Sequence, residues 1–213
     1  TIGDRKIMLI RRFDRYWLAP DGVVGESDHL YQTQPGEGRT EHRLGFVSGL
    51  TMVACDETES RTKAYTDLAQ AVREHCHPSV IRADNAELFK RMVFNILIDN
   101  TDDHEKNHAL VRGEDGHYAL SPAFDVLPAA QGLGYQQMRV GAQGHEASMA
   151  NALSEARAFG LTAAQARQTV ADIASQVAQW KVVFKSLKVR DADIKLLAQY
   201  LDGAHLGAQR RLF

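Results

Sequence analysis

The stretch that most constrains this chain lies near its middle. Leu88, Phe89, Met92, Val93, Phe94, Ile96, Leu97 and Ile98 put apolar side chains on nearly every side of a helix, and a helix of that kind has to be buried at the centre of its domain. Asp84, with Glu87 three residues on, has the form of a capping box, so the helix is predicted to start there and to run to about Asn100. It delivers the chain directly into residues 99–108, DNTDDHEKNH, where four carboxylates, two histidines, a lysine and two asparagines crowd together. Such a segment is either a solvated turn, for which Asn and Asp are well suited, or a site of chemistry.

The flanking sequence gives the scaffold. Residues 6–13 (KIMLIRRF) read as a strand that needs a partner, and residues 20–40 as a long loop rich in Gly, Asp, Gln, Glu and Pro. From Leu44 the pattern is read as helical, and residues 65–75 as a short amphipathic helix. Residues 108–111 and 117–120 flank Arg112-Gly113-Glu114-Asp115-Gly116 as a β-hairpin. Thr162 and Gln165 form a second capping-box pattern. After it Val170, Ile173, Val177, Trp180, Phe184 and Leu187 recur at spacings of 3, 4, 3, 4 and 3, one stripe along one long helix. Asp191 is placed to cap a final helix with Ile194, Leu197 and Leu201 inward. The class is therefore mainly α (α+β), a helical bundle with a small hairpin, and no internal repeat is present.

Composition excludes several functions. At 213 residues with 44% hydrophobic and 24% charged residues, the chain has an ordinary globular balance, and its net charge of -2 offers no general attraction to phosphate backbones or anionic lipid. No membrane span is expected, no direct nucleic-acid binding is expected, and residues 1–12 lack signal-peptide architecture, which points to the cytoplasm. Cys55 and Cys76 make neither a CxxC pair nor a disulfide framework and read as reduced small hydrophobes.

Two chemistries compete for residues 99–108. His104-Glu105-Lys106-Asn107-His108 is a literal H-E-x-x-H, the zinc-hydrolase pattern, which needs these residues inside a helix and a third ligand, with His117 or Glu146 as loose candidates. The other reading takes Asp102 and Asn107 as D-x-x-x-x-N, followed after the hairpin by Asp125. In phosphoryl transfer an Asp accepts the proton of the attacking hydroxyl, while an Asn five residues on and a later Asp hold Mg²⁺. Hard oxygen ligands of that kind suit Mg²⁺.

The segment FNILIDNTDDHEKNH (residues 94–108), followed by LSPAFDVLP (residues 120–128), resembles the signature of the HipA-like serine/threonine kinases, toxins of bacterial toxin–antitoxin pairs. The resemblance extends to Arg12-Phe13-Asp14-Arg15, similar to the segment after the hinge between the kinase lobes, and to the helical stretch Tyr65–Ala71. It implies a protein-kinase-like C-terminal lobe over residues 16–213, with residues 1–15 as the remnant of a strand and hinge from a missing N-lobe. It also implies ATP and Mg²⁺ as cofactors, Asp102 as the base, and Asn107 and Asp125 as metal ligands. His104 falls at a nucleotide-site histidine, Arg11 and Phe13 at a hinge facing the adenine, and Lys106 where it could balance phosphate charge. Asp103 is read as a turn residue that could at most assist Asp102, and Asp99 as a residue that caps the helix end or stands exposed there. The implied partners are a protein substrate, such as an aminoacyl-tRNA synthetase or another translation component, and a DNA-binding antitoxin. No G-x-G-x-x-G or Walker pattern is present, so the chain alone is expected to bind Mg-ATP poorly and to be inactive. A catalytically dead interaction module stays open beside the kinase and the zinc hydrolase.

Overall fold

The computed structural model describes residues 12–22, 36–56, 58, 62–113 and 115–213. The strand predicted at 6–13 lies, up to residue 11, outside them, as does much of the loop predicted at 20–40. β1 (Arg15–Leu18) and β2 (Thr40–Arg43) pair antiparallel, with Tyr16 opposite His42. A second antiparallel sheet takes the order β3 (Gly45–Ser48), β4 (Ala109–Arg112), β5 (Tyr118–Leu120).

β3 corrects the expectation of helix from Leu44. Phe46 pairs with Val111 and Ser48 with Ala109, so a partner more than sixty residues away decides the local conformation. Helix begins only at α1 (Gly49–Met52), where the Ser48 hydroxyl accepts from the Thr51 backbone N–H. α2 spans Tyr65–His75, as the amphipathic pattern predicts, with Leu68, Ala69 and Val72 inward.

α3 (Ile81–Leu97) is the centre of the domain: Leu88, Phe89, Met92, Val93, Ile96 and Leu97 are each no more than 1% exposed. It packs against α2 and α5. Its start differs from the prediction. Asp84 does not cap the helix; its Oδ2 accepts from the Leu120 N–H of β5 at 2.8 Å, tying hairpin to helix, and α3 begins three residues earlier. Phe94, at 39%, is the one apolar residue of that central run that is exposed.

The C-terminal third follows from α4 (Met149–Ser154). The Thr162–Gln165 capping box forms as predicted at the head of α5 (Ala163–Ala178). The single long helix does not form, because Gln179 (φ -89°, ψ 4°) breaks it and α6 (Trp180–Ser186) starts afresh. Val170, Val177 and Trp180 are buried, whereas Leu187 is 70% exposed. Trp180 is held by its indole N–H donating to Asp202 Oδ1 at 3.1 Å and by an edge contact with Phe184. α7 (Asp191–Leu201) buries Ile194 and Leu201, and α8 (Ala204–Arg211), which has no counterpart in the prediction, follows it with Leu206 inward.

Cys76 is buried and burial pushes its thiol up to about 12, an inert hydrophobe; Cys55 is half-buried, and both are free. Among the described residues no helix is long and apolar enough to cross a membrane.

Candidate active site

The end of α3 sets the site. Asp99 adopts a left-handed conformation (φ 59°) and donates its N–H to Ile96 O, while Asn100 N–H reaches Asn95 O at 2.9 Å, the pairing of a Schellman cap with Asp in the place glycine usually takes. Asp99 does cap the helix, but it is buried rather than exposed. Its Oδ2 accepts from the backbone N–H groups of Gln131 and Gly132, each at 2.8 Å, and its carbonyl accepts from Ala129 N–H. One aspartate thereby fastens the irregular segment downstream of Asp125 to the end of the central helix.

Asp103 corrects its reading as a turn residue. It is 2% exposed, and its Oδ2 accepts from the Tyr65 hydroxyl of α2, from Asn95 Nδ2 of α3 at 2.7 Å, and from His108 Nε2 at 3.0 Å. Burial alone would raise this carboxyl; the charge of His108 and the three donors outweigh it and hold the carboxyl below the ordinary range. The Tyr65 hydroxyl is pushed well up, by burial and then by Asp103.

Asp102 has the opposite environment. It is exposed, and it lines a cavity of about 470 Å³ together with Asn107 and Asp125. Asn107 is 8% exposed, and its Nδ2 reaches the Asp102 carbonyl at 3.4 Å. Asp125 stands exposed on a left-handed residue (φ 55°) just after the hairpin. Among the described residues, neither the Asp102 nor the Asp125 carboxylate is engaged by a protein partner, so both oxygen pairs are available. Two carboxylates and an amide oxygen around one cavity form a hard donor set that fits Mg²⁺ with phosphate and water completing its shell. Asn107 also borders a second cavity of about 650 Å³, walled by Arg91 and Phe94 of α3, Phe124, and Ile173 of α5.

The remaining candidates are placed less centrally. Phe13 is half-buried and packs in a tilted triangle with Phe46 and Phe124, at 6.0 and 5.7 Å, beside Asp125. Arg11 lies outside the described residues. His104 is half-buried, with its Nδ1 enclosed and unpartnered, and Lys106 is exposed; neither borders the two cavities.

The zinc-hydrolase alternative fails on backbone geometry. His104 and His108 are extended, with only a 3-10 turn (Glu105–Asn107) between them, and His108 is turned into the protein interior toward Asp103. The two histidines therefore do not lie one helical turn apart on one face, and among the described residues no group of three or more His, Cys, Asp and Glu could hold a metal. Glu105 is fully buried with both carboxylate oxygens unpartnered, and burial raises its carboxyl. Tyr65, Asn95, Asp103 and His108 are the residues sequence reasoning missed. Their signal was a polar residue, Asn95, on the buried face of α3 and an Asp and a His five residues apart.

The model of the HipA-like C-terminal domain matches residues 1–181. The chain belongs to the HipA-like family. α7 and α8 lie beyond the matched range. No curated protein matches the chain by sequence. Among solved structures, a chain from the Shewanella oneidensis MR-1 toxin–antitoxin complex of HipA, HipB and operator DNA is similar in fold, with a TM-score of 0.67 at 15% identity. That match covers 95% of this chain and 47% of the other, so the present HipA-like domain spans about half the length of that protein. The mainly helical, kinase-like C-terminal lobe predicted from sequence is the fold observed.

Proposed function

We propose that this HipA-like domain is the C-terminal catalytic lobe of a cytoplasmic serine/threonine protein kinase that transfers the γ-phosphoryl of ATP to a protein hydroxyl. The observation that supports it is the convergence of Asp102, Asn107 and Asp125 on one cavity. In this reading Asp102 orients the acceptor hydroxyl and takes its proton as the oxygen bonds to the γ-phosphorus and the bond to the β-phosphate oxygen breaks, releasing ADP. Asn107 and Asp125 hold Mg²⁺. The ion, when bound, neutralises charge that develops on the phosphates. Arg11 and Phe13 are assigned to the adenine side, and His104 and Lys106 to the nucleotide.

In this reading the phosphate-covering loop and strand lysine are supplied by an N-lobe outside these residues, so this lobe alone should transfer no phosphate. A DNA-binding antitoxin is the proposed partner, in keeping with the HipA–HipB–operator assembly of the structural relative. A translation component such as an aminoacyl-tRNA synthetase is the proposed substrate class.

The test uses the full-length protein with labelled ATP and Mg²⁺, measuring phosphoryl transfer by the parent and by Asp102→Asn. Transfer that is lost in the variant supports the kinase. A parent that binds its partner yet transfers nothing, with Asp102→Asn indistinguishable from it, would establish the interaction module instead.

A further inference from the structure

We infer that Asp103 and His108 act as a positioning clamp that sets the distance between Asp102 and Asn107, with Tyr65 and Asn95 anchoring it to α2 and α3. Its effect on rate rests on the kinase reading; its effect on loop order does not.

Each clamp residue directly follows a proposed site residue. Asp102 lines the 470 Å³ cavity and is exposed while Asp103 is buried; Asn107 lines the same cavity and His108 is again buried, Asp103 and His108 bordering the 650 Å³ cavity instead. The 3.0 Å bond from His108 Nε2 to Asp103 Oδ2 therefore closes the five-residue loop one position out of register with the pair it would control. The same Oδ2 takes the Tyr65 hydroxyl and Asn95 Nδ2, so a single oxygen fixes the loop to two helices. The Tyr65 ring meets the His108 ring edge-on at 5.8 Å and 82°, which fixes the plane of the imidazole. The His108 carbonyl is held separately by the Gly49 N–H at 2.7 Å. Asp103 and His108 are only 2% and 3% exposed, so removing either leaves a buried polar group of the other short of its protein partner. These are contacts to the backbone neighbours of reacting groups and not to substrate, so Asp103 is a positioning residue.

The experiment compares the full-length protein with Asp103→Ala, Asp103→Asn, His108→Ala and the Asp103→Ala/His108→Ala double variant, reading hydrogen exchange of the 99–108 amides alongside kcat and KM for Mg-ATP. For Asp103→Ala we expect exchange in 99–108 to rise about tenfold while α5 stays protected. We also expect kcat to fall by on the order of 10²-fold, the scale of an ångström-level misplacement, with a smaller change in KM. Asp103→Asn, which keeps an oxygen acceptor, should recover most of both. The double variant should be no worse than Asp103→Ala, since the two residues act as one device. If Asp103→Ala fails to fold, Tyr65→Phe, which removes one donor and keeps the ring, is read in the same way. Unchanged exchange in 99–108, additive losses in the double variant, or a fall in kcat no larger than the loss of folded protein would each overturn the clamp. If the parent itself transfers no phosphate the kinase reading fails, and the exchange data alone decide the clamp.

Discussion

The loop after α3 has a buried side and an exposed side, and the same residue type does different work on each. Asp99 and Asp103 point into the protein, where between them they accept from two backbone N–H groups, a tyrosine, an asparagine and a histidine. Asp102 and Asp125 point into a cavity with their oxygens unengaged. A buried carboxylate is tolerated only when its lone pairs are satisfied, so Asp99 and Asp103 are spent on architecture. An exposed carboxylate with no protein partner is free to take a cation. Burial, and not the local motif, separates the two aspartates that hold the fold from the two proposed to act on phosphate.

The sharpest way to break this comparison is to exchange the two sides' consequences. In the full-length protein, Asp102→Asn and Asp125→Asn should each lower phosphoryl transfer by on the order of 10²–10⁴-fold. The melting temperature should stay within about 1 °C of the parent, because neither side chain contributes a partner to the fold. A large loss of stability in either variant would put that aspartate on the structural side.

Asp99→Ala should do the reverse. It removes an acceptor from Gln131 and Gly132 and leaves alanine in a left-handed conformation that aspartate tolerates better, a combined cost of about 2–4 kcal/mol by denaturant unfolding. Asp99→Asn, which keeps an acceptor and suits that conformation, should recover more than half of it. Equal losses for the two would show that the tether to 131–132 contributes little.

Gly49→Ala probes the path from one side to the other. A Cβ at this position would lie 2.6 Å from the Glu105 carbonyl and 2.7 Å from Leu68 Cδ2, so the turn between Asp102 and Asn107 has to move. A destabilisation of about 1–3 kcal/mol is expected from the overpacking. Transfer in the full-length protein should fall by more than the stability loss accounts for. Loss of stability with an unchanged rate per folded molecule would show that the loop absorbs the shift elsewhere.

Sequence made the frame legible where the signal was local. α2 matched its predicted limits because its amphipathic face is complete within eleven residues, and the hairpin strands were found from Gly-rich punctuation between apolar runs. It failed where a distant partner decides. Four residues of β3 have no pattern of their own until β4 pairs with them, and Asp84 looks like a helix cap until Leu120 claims its carboxylate. α5 and α6 share a stripe that is continuous in sequence but broken at Gln179, where Trp180 is held by Asp202 from beyond α7. Within the site, D-x-x-x-x-N and the later Asp125 were legible through their spacing. Asp102 and Asp103 are chemically identical neighbours, however, and only the positions of Tyr65, Asn95 and His108 distinguish them.

The smallest expected effect sharpens the comparison by supplying an intermediate case. Asp84 is half-buried and accepts from a single backbone N–H, against three donors on Asp103. Burial wins over that one bond, and its carboxyl is raised above the ordinary value where Asp103 is lowered. A raised folded-state pKa means that the folded protein binds the proton more tightly than the unfolded chain, so the ionised group weakens the fold at neutral pH. That penalty diminishes as pH falls through the folded-state value toward the unfolded one. Asp84→Asn, which keeps an oxygen for Leu120 and drops the charge, should therefore stabilise the protein at pH 7 by about 1 kcal/mol or less. The gain should shrink toward zero near pH 4, as measured by thermal unfolding across that range. A gain that persists unchanged at pH 4 would show that the asparagine acts through packing rather than charge.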